Sequence, residues 1–370
     1  MARAPLGDEG AGIVTPETVV ICPELEAGGV GDYTRRLLES LPRVAGLRLV
    51  IPKIGNRPAR VFEQYPVEEA DGTARDLRAR LPARGGKVLV QYSAYGFDRF
   101  GYPRWLIKAL LDWKGESPGT LVIMFHEIWA FWPIWNKNHV LQHLHRRGLG
   151  QLLQTADAVF TSTPSQAQHL LALSPRCAIE ILPVGSNIRR VQPTDGEREA
   201  GHAVLFGLQR TRLRTLRTMH PQLKALGAAG KIHRLVTVGG GRSRGGDEEE
   251  LALLMELELS ESFDQLGPLP EEKISDLLLT CEFAISAQDE LSITKSGTFM
   301  AAATHGVNII SCYADASKPE PLSLLISPEE LMKGVAQLEL QSRGERLRLW
   351  QERTAAWPHI ADRIAQALKL

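Results

Sequence analysis

The chain has 370 residues, 44% of them apolar and 23% charged, with a mean hydropathy of -0.13; such a chain buries a sizeable core, which excludes long disorder. Lys and Arg together number 43, as do Asp and Glu, and this balance excludes the overall positive field that draws a basic domain to nucleic acid. Cys22, Cys177, Cys281 and Cys312 stand far apart with no C-x-x-C pair, which excludes a cysteine-rich zinc module and argues against a disulfide scaffold.

Residues 1–16 read as a flexible leader with no apolar core segment, so no signal peptide is expected. Thr18–Glu24 is a short β-branched apolar run, a fully buried strand by length and composition. It breaks at LEAGGVG and gives way to DYTRRLLESL, where Tyr33, Leu37, Leu38 and Leu41 recur at helical spacing, the opening of a βαβ unit. Further strands are expected at Leu47–Pro52, Lys87–Ser93, Thr120–Glu127, Ala158–Thr163 and Ile179–Val184, with helices at Trp105–Trp113, Val140–Ala156 and Pro164–Leu173. Continuous apolar strands alternating with helices predict a parallel sheet covered on both faces. The window Leu121–Trp135 is too short for a bilayer span of about 20 residues and is interrupted by His126, Glu127 and Pro133, so a cytoplasmic protein is expected.

Ser186–His202 is polar and aperiodic and reads as an interdomain linker. Beyond it the alternation restarts with HAVLFG, RLVTVGGG, SFDQLG, FAISA and VNIISC as strands and helical patterns between them. The expected organisation is a first α/β domain over 17–190, a second over 200–340 and a helical segment over 341–370, this last read as one or two amphipathic helices.

Four stretches could carry chemistry. Gly28–Gly31 is either a plain tight turn or a loop whose main chain approaches an anion at a helix N-terminus. His126–Glu127 follows a buried strand and should lie at a cleft edge, where His126 either moves a proton, binds a sugar hydroxyl, or serves as a structural hydrogen-bonding group. The aromatics after it, Trp129, Phe131, Trp132 and Trp135, fit core or subunit contact first, with an apolar ligand surface or peripheral membrane contact as the other readings. Gly239–Gly246 lacks the Lys-Ser/Thr ending of a P-loop and reads as a mobile connector. In Asp289–Ile310, a loop with Glu290 leads to Lys295-Ser296-Gly297-Thr298 at the start of a small-residue helix. A cation, two hydroxyls and unpaired helical N–H groups make a diphosphate socket; the alternative is an ordinary N-cap by Ser296 or Thr298 with Lys295 in solvent. No metal site is indicated, since His143 and His145 at i,i+2 point apart, and no nucleophile elbow is present.

In order along the chain, GGVGDYTRRLL, QYSAYGFDRFGYPRWL, ADAVFTSTPSQAQHL with ILPVGSNI, FDQLGPLPEEKISDLLLTCEFAISA and AAATHGVNIIS resemble the two-Rossmann-domain (GT-B) glycosyltransferases, closest to the family 4 type. The resemblance implies an α/β fold of two Rossmann-like domains, with the last helix returning to the first. It also implies transfer of a sugar from a nucleotide-diphosphate donor to an unidentified glycan, lipid-linked or small-molecule acceptor, with no cofactor or metal required. On it, Lys295, Arg210, Ser296, Gly297 and Thr298 hold the diphosphate, and Gly29 and Gly31 approach from the other domain. His126 then contacts the transferring sugar and Glu290 its hydroxyls. The chain departs from the family's E-x7-E pattern: aligning on Gly306 places Ile293 and Ala301 in the two slots, and anchoring on Glu290 places Thr298 in the second. A non-catalytic nucleotide-sugar binder or scaffold and a nucleotide-sugar epimerase are the rival readings.

Overall fold

The computed structural model describes residues 17–25, 29–53, 62, 64–83, 85–129, 135–136, 139–191, 198–241 and 245–370. The first part runs β1 (Thr18–Ile21), α1 (Gly29–Ser40), β2 (Leu47–Pro52), β3 (Val67–Ala70), α2 (Ala74–Arg80), β4 (Lys87–Ser93), α3 (Ala94–Phe97) and α4 (Arg104–Glu116). It continues with β5 (Thr120–Glu127), α5 (His139–Thr155), β6 (Ala158–Thr161), α6 (Pro164–Leu173) and β7 (Ile179–Ile181). The second part comprises β8 (Glu199–Phe206), α7 (Gln209–Ala228), β9 (Arg234–Val238), α8 (Gly246–Met255), β10 (Ser262–Gln265), α9 (Glu271–Thr280), β11 (Cys281–Ile285), α10 (Gly297–Thr304) and β12 (Asn308–Ile310). The chain ends with α11 (Pro328–Lys333), α12 (Gln337–Ala355) and α13 (Trp357–Leu368).

Two wholly parallel sheets result. Their strand orders are β3-β2-β1-β4-β5-β6-β7 and β10-β9-β8-β11-β12, so each sheet reverses direction once, between β1 and β4 and between β8 and β11. Such a reversal opens a crevice beyond the carboxyl ends of the strands. Apolar side chains on both faces explain the continuous runs: Val19, Ile21, Val88 and Val90 pack toward α4 and α5, whereas Val20, Leu89, Val122 and Met124 pack toward α1. In the second sheet Val204 and Ile309 meet α10 and α12, and Ala203, Leu205 and Leu235 meet α7 and α8.

The two C-terminal helices belong to different domains. Leu347, Trp350 and Ala355 bury α12 in the second core, while Ile360, Ala361, Ile364 and Leu368 of α13 are buried against the first sheet and α1. Pro358 in the first turn of α13 starts the new helix after the extended Ala356. The last helix thus returns to the first domain, and the fold is the GT-B architecture. Among the described residues no helix is long and apolar enough to cross a membrane.

Several expectations need correction. The expected linker overlaps β8, which already begins at Glu199 and contains His202. Alternating Ala203, Val204 and Leu205 bury on both faces, and the pull of that core extends the strand into polar sequence. β3 and α2 carry too little apolar sequence to be expected: Glu68 of the edge strand β3 pairs with Arg48 (3.1 Å) and Arg80 (3.2 Å). Trp129 is buried in the first core with Arg146 over its ring, so it offers no membrane-facing surface. Phe131 and Trp132 lie outside the described residues, and Trp135 is exposed.

Candidate functional site

After β1 the chain enters α1 at Gly29, so the expected glycine loop is instead the first helical turn; Gly28 lies outside the described residues. Gly29 is exposed and a Cβ there would meet nothing within 4 Å, whereas Gly31 is buried two residues further along the first helical turn.

β4 and β5 run in register up to Tyr92–Phe125, then Ser93 pairs with Glu127, leaving His126 as one extra residue. Such a bulge re-aims side chains at a strand end. His126 turns into the protein: it is 5% exposed, its ring lies edge-on to Tyr33 at 4.6 Å, and Nε2 stands 2.7 Å from Gln91 Oε1. Because that oxygen can only accept, Nε2 carries the proton. Burial first, and the Lys295 charge second, push the His126 pKa down to about 3. The ring is therefore neutral near pH 7, its Nε2–H given to Gln91 and its Nδ1 left as an acceptor. Glu127 stays exposed, its Oε2 accepting the Ser93 hydroxyl at 2.7 Å.

Lys295 reaches this corner from the other domain. It ends a 3-10 turn, Ile293–Lys295, whose Thr294 carbonyl accepts the Val184 N–H at 3.0 Å across the junction. Protein packed around its ammonium lowers the Lys295 pKa, and the Glu127 carboxylate opposes that shift. Ser296 caps α10, its Oγ accepting the Phe299 N–H at 3.2 Å and lying 3.1 Å from Thr298 Oγ1. The plain-cap alternative is therefore formed, and Lys295, itself exposed, lies near enough for its charge to act on His126 of the first domain. Gly297 opens α10 opposite Asn187. Glu290 is separate from this group: it pairs with Lys318 at 3.0 Å within its own domain.

Arg210 is exposed in the first turn of α7 and has no hydrogen bond or ion pair among the described residues. Arg212 is committed elsewhere. It is buried, makes a two-point pair with Glu250 at 2.8 Å for each bond, and donates from Nη1 to the carbonyls of Gly207 and Gly239. Ala301 and Ile293, which stand in the E-x7-E slots, are both buried in the second core.

The loops after β8, β9 and β10 form a glycine-lined floor that the sequence reading missed. Gly207 N–H donates to Val238 O (3.0 Å), Gly239 N–H to Gly267 O (2.8 Å) and Gln209 N–H to Gly240 O (3.0 Å). Gly239 has φ +129 and a Cβ there would stand 2.2 Å from the Gly207 carbonyl oxygen, so only glycine fits. A cavity of about 400 Å³ opens here, lined by Arg212, Gly239, Asp247, Gln265, Gly267 and Pro268. A second, of about 20 Å³, is lined by Thr211, Ser286, Gln288 and Thr298 beside Phe206 and Phe299. The signal available in the sequence was a glycine just after three successive strands; the Gly239–Gly246 stretch is not a mere connector, although residues 242–244 are outside the described ones.

The junction behind the cleft is tied by charge. Arg36 of α1 bonds Glu271 of α9 (2.6 Å) and the Asn187 carbonyl (3.1 Å), and Trp357 Nε1 donates to Ser186 O (2.6 Å).

No protein-family model matches the chain, and no curated protein matches it. Solved structures match its fold over nearly the whole length. Sucrose-phosphate synthase from Thermosynechococcus elongatus superposes with a TM-score of 0.63 at 14% identity, covering 96% of this chain and 98% of that one. Anabaena HepE, in complex with UDP and glucose, gives 0.62 at 11% identity over 96% and 99%. WaaG, a glycosyltransferase involved in lipopolysaccharide biosynthesis, gives 0.60 at 12% over 95% and 99%.

Proposed function

We propose that the protein is a glycosyltransferase of hexosyl type that takes a sugar from a nucleoside-diphosphate donor, without an obligatory metal, and acts in the cytoplasm. The observation that carries this reading is that the Ile293–Lys295 turn and the α10 N-terminus lie against the first domain, Thr294 O accepting the Val184 N–H, with the Lys295 charge acting on His126. Lys295, Gly297 and Thr298, with Arg210 and the α1 backbone at Gly29, bind the diphosphate. The leaving charge is stabilised by a fixed cation and unpaired helical N–H groups rather than by water. The glycine floor takes the nucleoside, and His126 hydrogen-bonds the transferring sugar. The complex of HepE with UDP and glucose lends the donor class. Glu290, exposed in the loop before Lys295 and paired at the surface with Lys318, contacts the sugar hydroxyls in this reading.

A non-catalytic nucleotide-sugar binder is the second reading, favoured by buried Ala301 in the slot where the family places a carboxylate. Thermal shift with UDP, GDP and ADP, followed by donor turnover, separates the two, since a ligand that binds only the native state raises its midpoint.

Lys295→Ala should weaken the best-binding nucleoside diphosphate about tenfold to a hundredfold, the equivalent of about 1.5–3 kcal/mol for a charge-assisted hydrogen bond. Calorimetric titration beside Ser296→Ala checks this: a pure cap predicts lost stability in Ser296→Ala and equal nucleotide affinity in Lys295→Ala. His126→Ala should lower turnover about tenfold, the scale of one hydrogen bond, and should also lower stability because Gln91 loses its partner. Full activity in that variant would remove His126 from the sugar site.

A further inference from the structure

We infer that Glu127 selects the acceptor, binding the hydroxyls of an uncharged polyol and turning away phosphorylated acceptors. This assignment rests on the nucleotide-sugar reading above and adds the acceptor class to it. The β5 bulge leaves Glu127 exposed at the strand end while its neighbour His126 is buried beneath it. Ser93, itself 3% exposed, fixes the carboxylate through its hydroxyl at 2.7 Å and is held in turn by capping the Gly96 N–H. No Lys, Arg or His approaches the Glu127 oxygens within 4 Å among the described residues. An ionised carboxylate has about four lone-pair sites, so most of its accepting capacity remains for incoming O–H donors.

The cation nearest in effect is Lys295, across the cleft, and that charge is taken up when a diphosphate binds. Tyr95, 48% exposed on α3, has its pKa raised by burial first and by the Glu127 charge second, and offers a ring with a hydroxyl handle near the carboxylate. A hydroxyl approaching this corner gains a charge-assisted hydrogen bond, whereas a phosphate meets both the carboxylate and the donor's own diphosphate. Discrimination by a like charge set against the wrong partner is a common basis of specificity.

The test uses the full chain saturated with whichever of UDP, GDP and ADP gives the largest thermal shift, titrated with glucose and with glucose 6-phosphate. Wild type should prefer glucose. Glu127→Gln, which keeps an acceptor for Ser93, and Glu127→Ala should hold nucleotide affinity within about threefold and reduce the glucose to glucose 6-phosphate preference at least tenfold. An unchanged preference in folded variants overturns the assignment, as does a parallel loss of nucleotide affinity or a nucleotide-loaded wild type that binds neither sugar. If none of the three nucleotides binds wild type, the donor reading falls first and Glu127 with it; nucleotide binding with an unchanged preference defeats Glu127 alone.

Discussion

Glu250→Ala is expected to destabilise the second domain by about 3–5 kcal/mol, the usual cost of stripping one partner from a buried ion pair. Glu250 is fully buried and Arg212 is 6% exposed at its side chain, with both guanidinium bonds to the carboxylate at 2.8 Å. Once the carboxylate is gone, the guanidinium keeps only its bonds to the Gly207 and Gly239 carbonyls and stays buried with its charge uncompensated. Those carbonyls belong to the loops that form the glycine floor, so the damage spreads to the cavity that Arg212 also lines and that is proposed to take the nucleoside. Glu250→Ala should therefore lose both melting temperature and nucleotide affinity. Arg212→Met combined with Glu250→Leu should recover most of the stability, because replacing both charges leaves no orphan. A single variant that melts within a degree or two of wild type would show that the pair is dispensable.

What the sequence made legible follows from what apolar periodicity can carry. Runs such as Val19–Ile21, Val88–Val90 and Leu121–Phe125 could only be buried strands, and their alternation with helices fixed the parallel class before any coordinates. Pro164–Leu173 emerges with the expected bounds because Thr163 caps it and Pro164 starts it. Polar elements were not legible. The edge strand β3 is stabilised by Arg48 and Arg80, partners that no local pattern announces. In the site, Lys295 and His126 stood out individually as residue types at strand and helix ends, but their meeting depends on how the two domains pack. Arg210 and Arg212 stand two residues apart at the start of α7, and only the position of Glu250, on a different helix, separates the free guanidinium from the buried one. Gly239 was misread for the same reason: its need for glycine comes from the Gly207 carbonyl on the adjacent strand's loop.

Mild acid should unfold this protein, through three buried histidines rather than its carboxylates. Burial pushes His126 down to about 3 and His145 and His305 each down to about 4, against an ordinary value of about 6.5. Burial is the largest cause in each. For His126 the Lys295 charge adds to it, while Gln91 accepts the Nε2–H and Tyr33 packs against the ring. His145 accepts the Tyr92 hydroxyl at 2.5 Å and lies against Tyr102. His305 donates from Nδ1 to the Ala301 carbonyl and accepts the Ser275 hydroxyl, with Arg190 and Arg198 disfavouring its charge and Glu271 only partly offsetting them. In all three the folded pKa lies below the unfolded one, so the unfolded chain binds more protons as the pH falls through about 6.5. The stability these groups contribute is complete above that pH and is lost progressively toward the folded values. At pH 5 the loss is about 2 kcal/mol for each histidine, large against the ~5–15 kcal/mol that holds a typical domain. The melting temperature should fall steeply between pH 7 and 5, a window above the range in which ordinary carboxylates titrate. Substituting His145→Gln keeps an acceptor for Tyr92 without a titrating ring and should flatten the slope by about a third. A melting temperature that stays level from pH 7 to 5, or a His145→Gln variant with the full wild-type slope, would mean that these rings are hydrated enough to protonate in place.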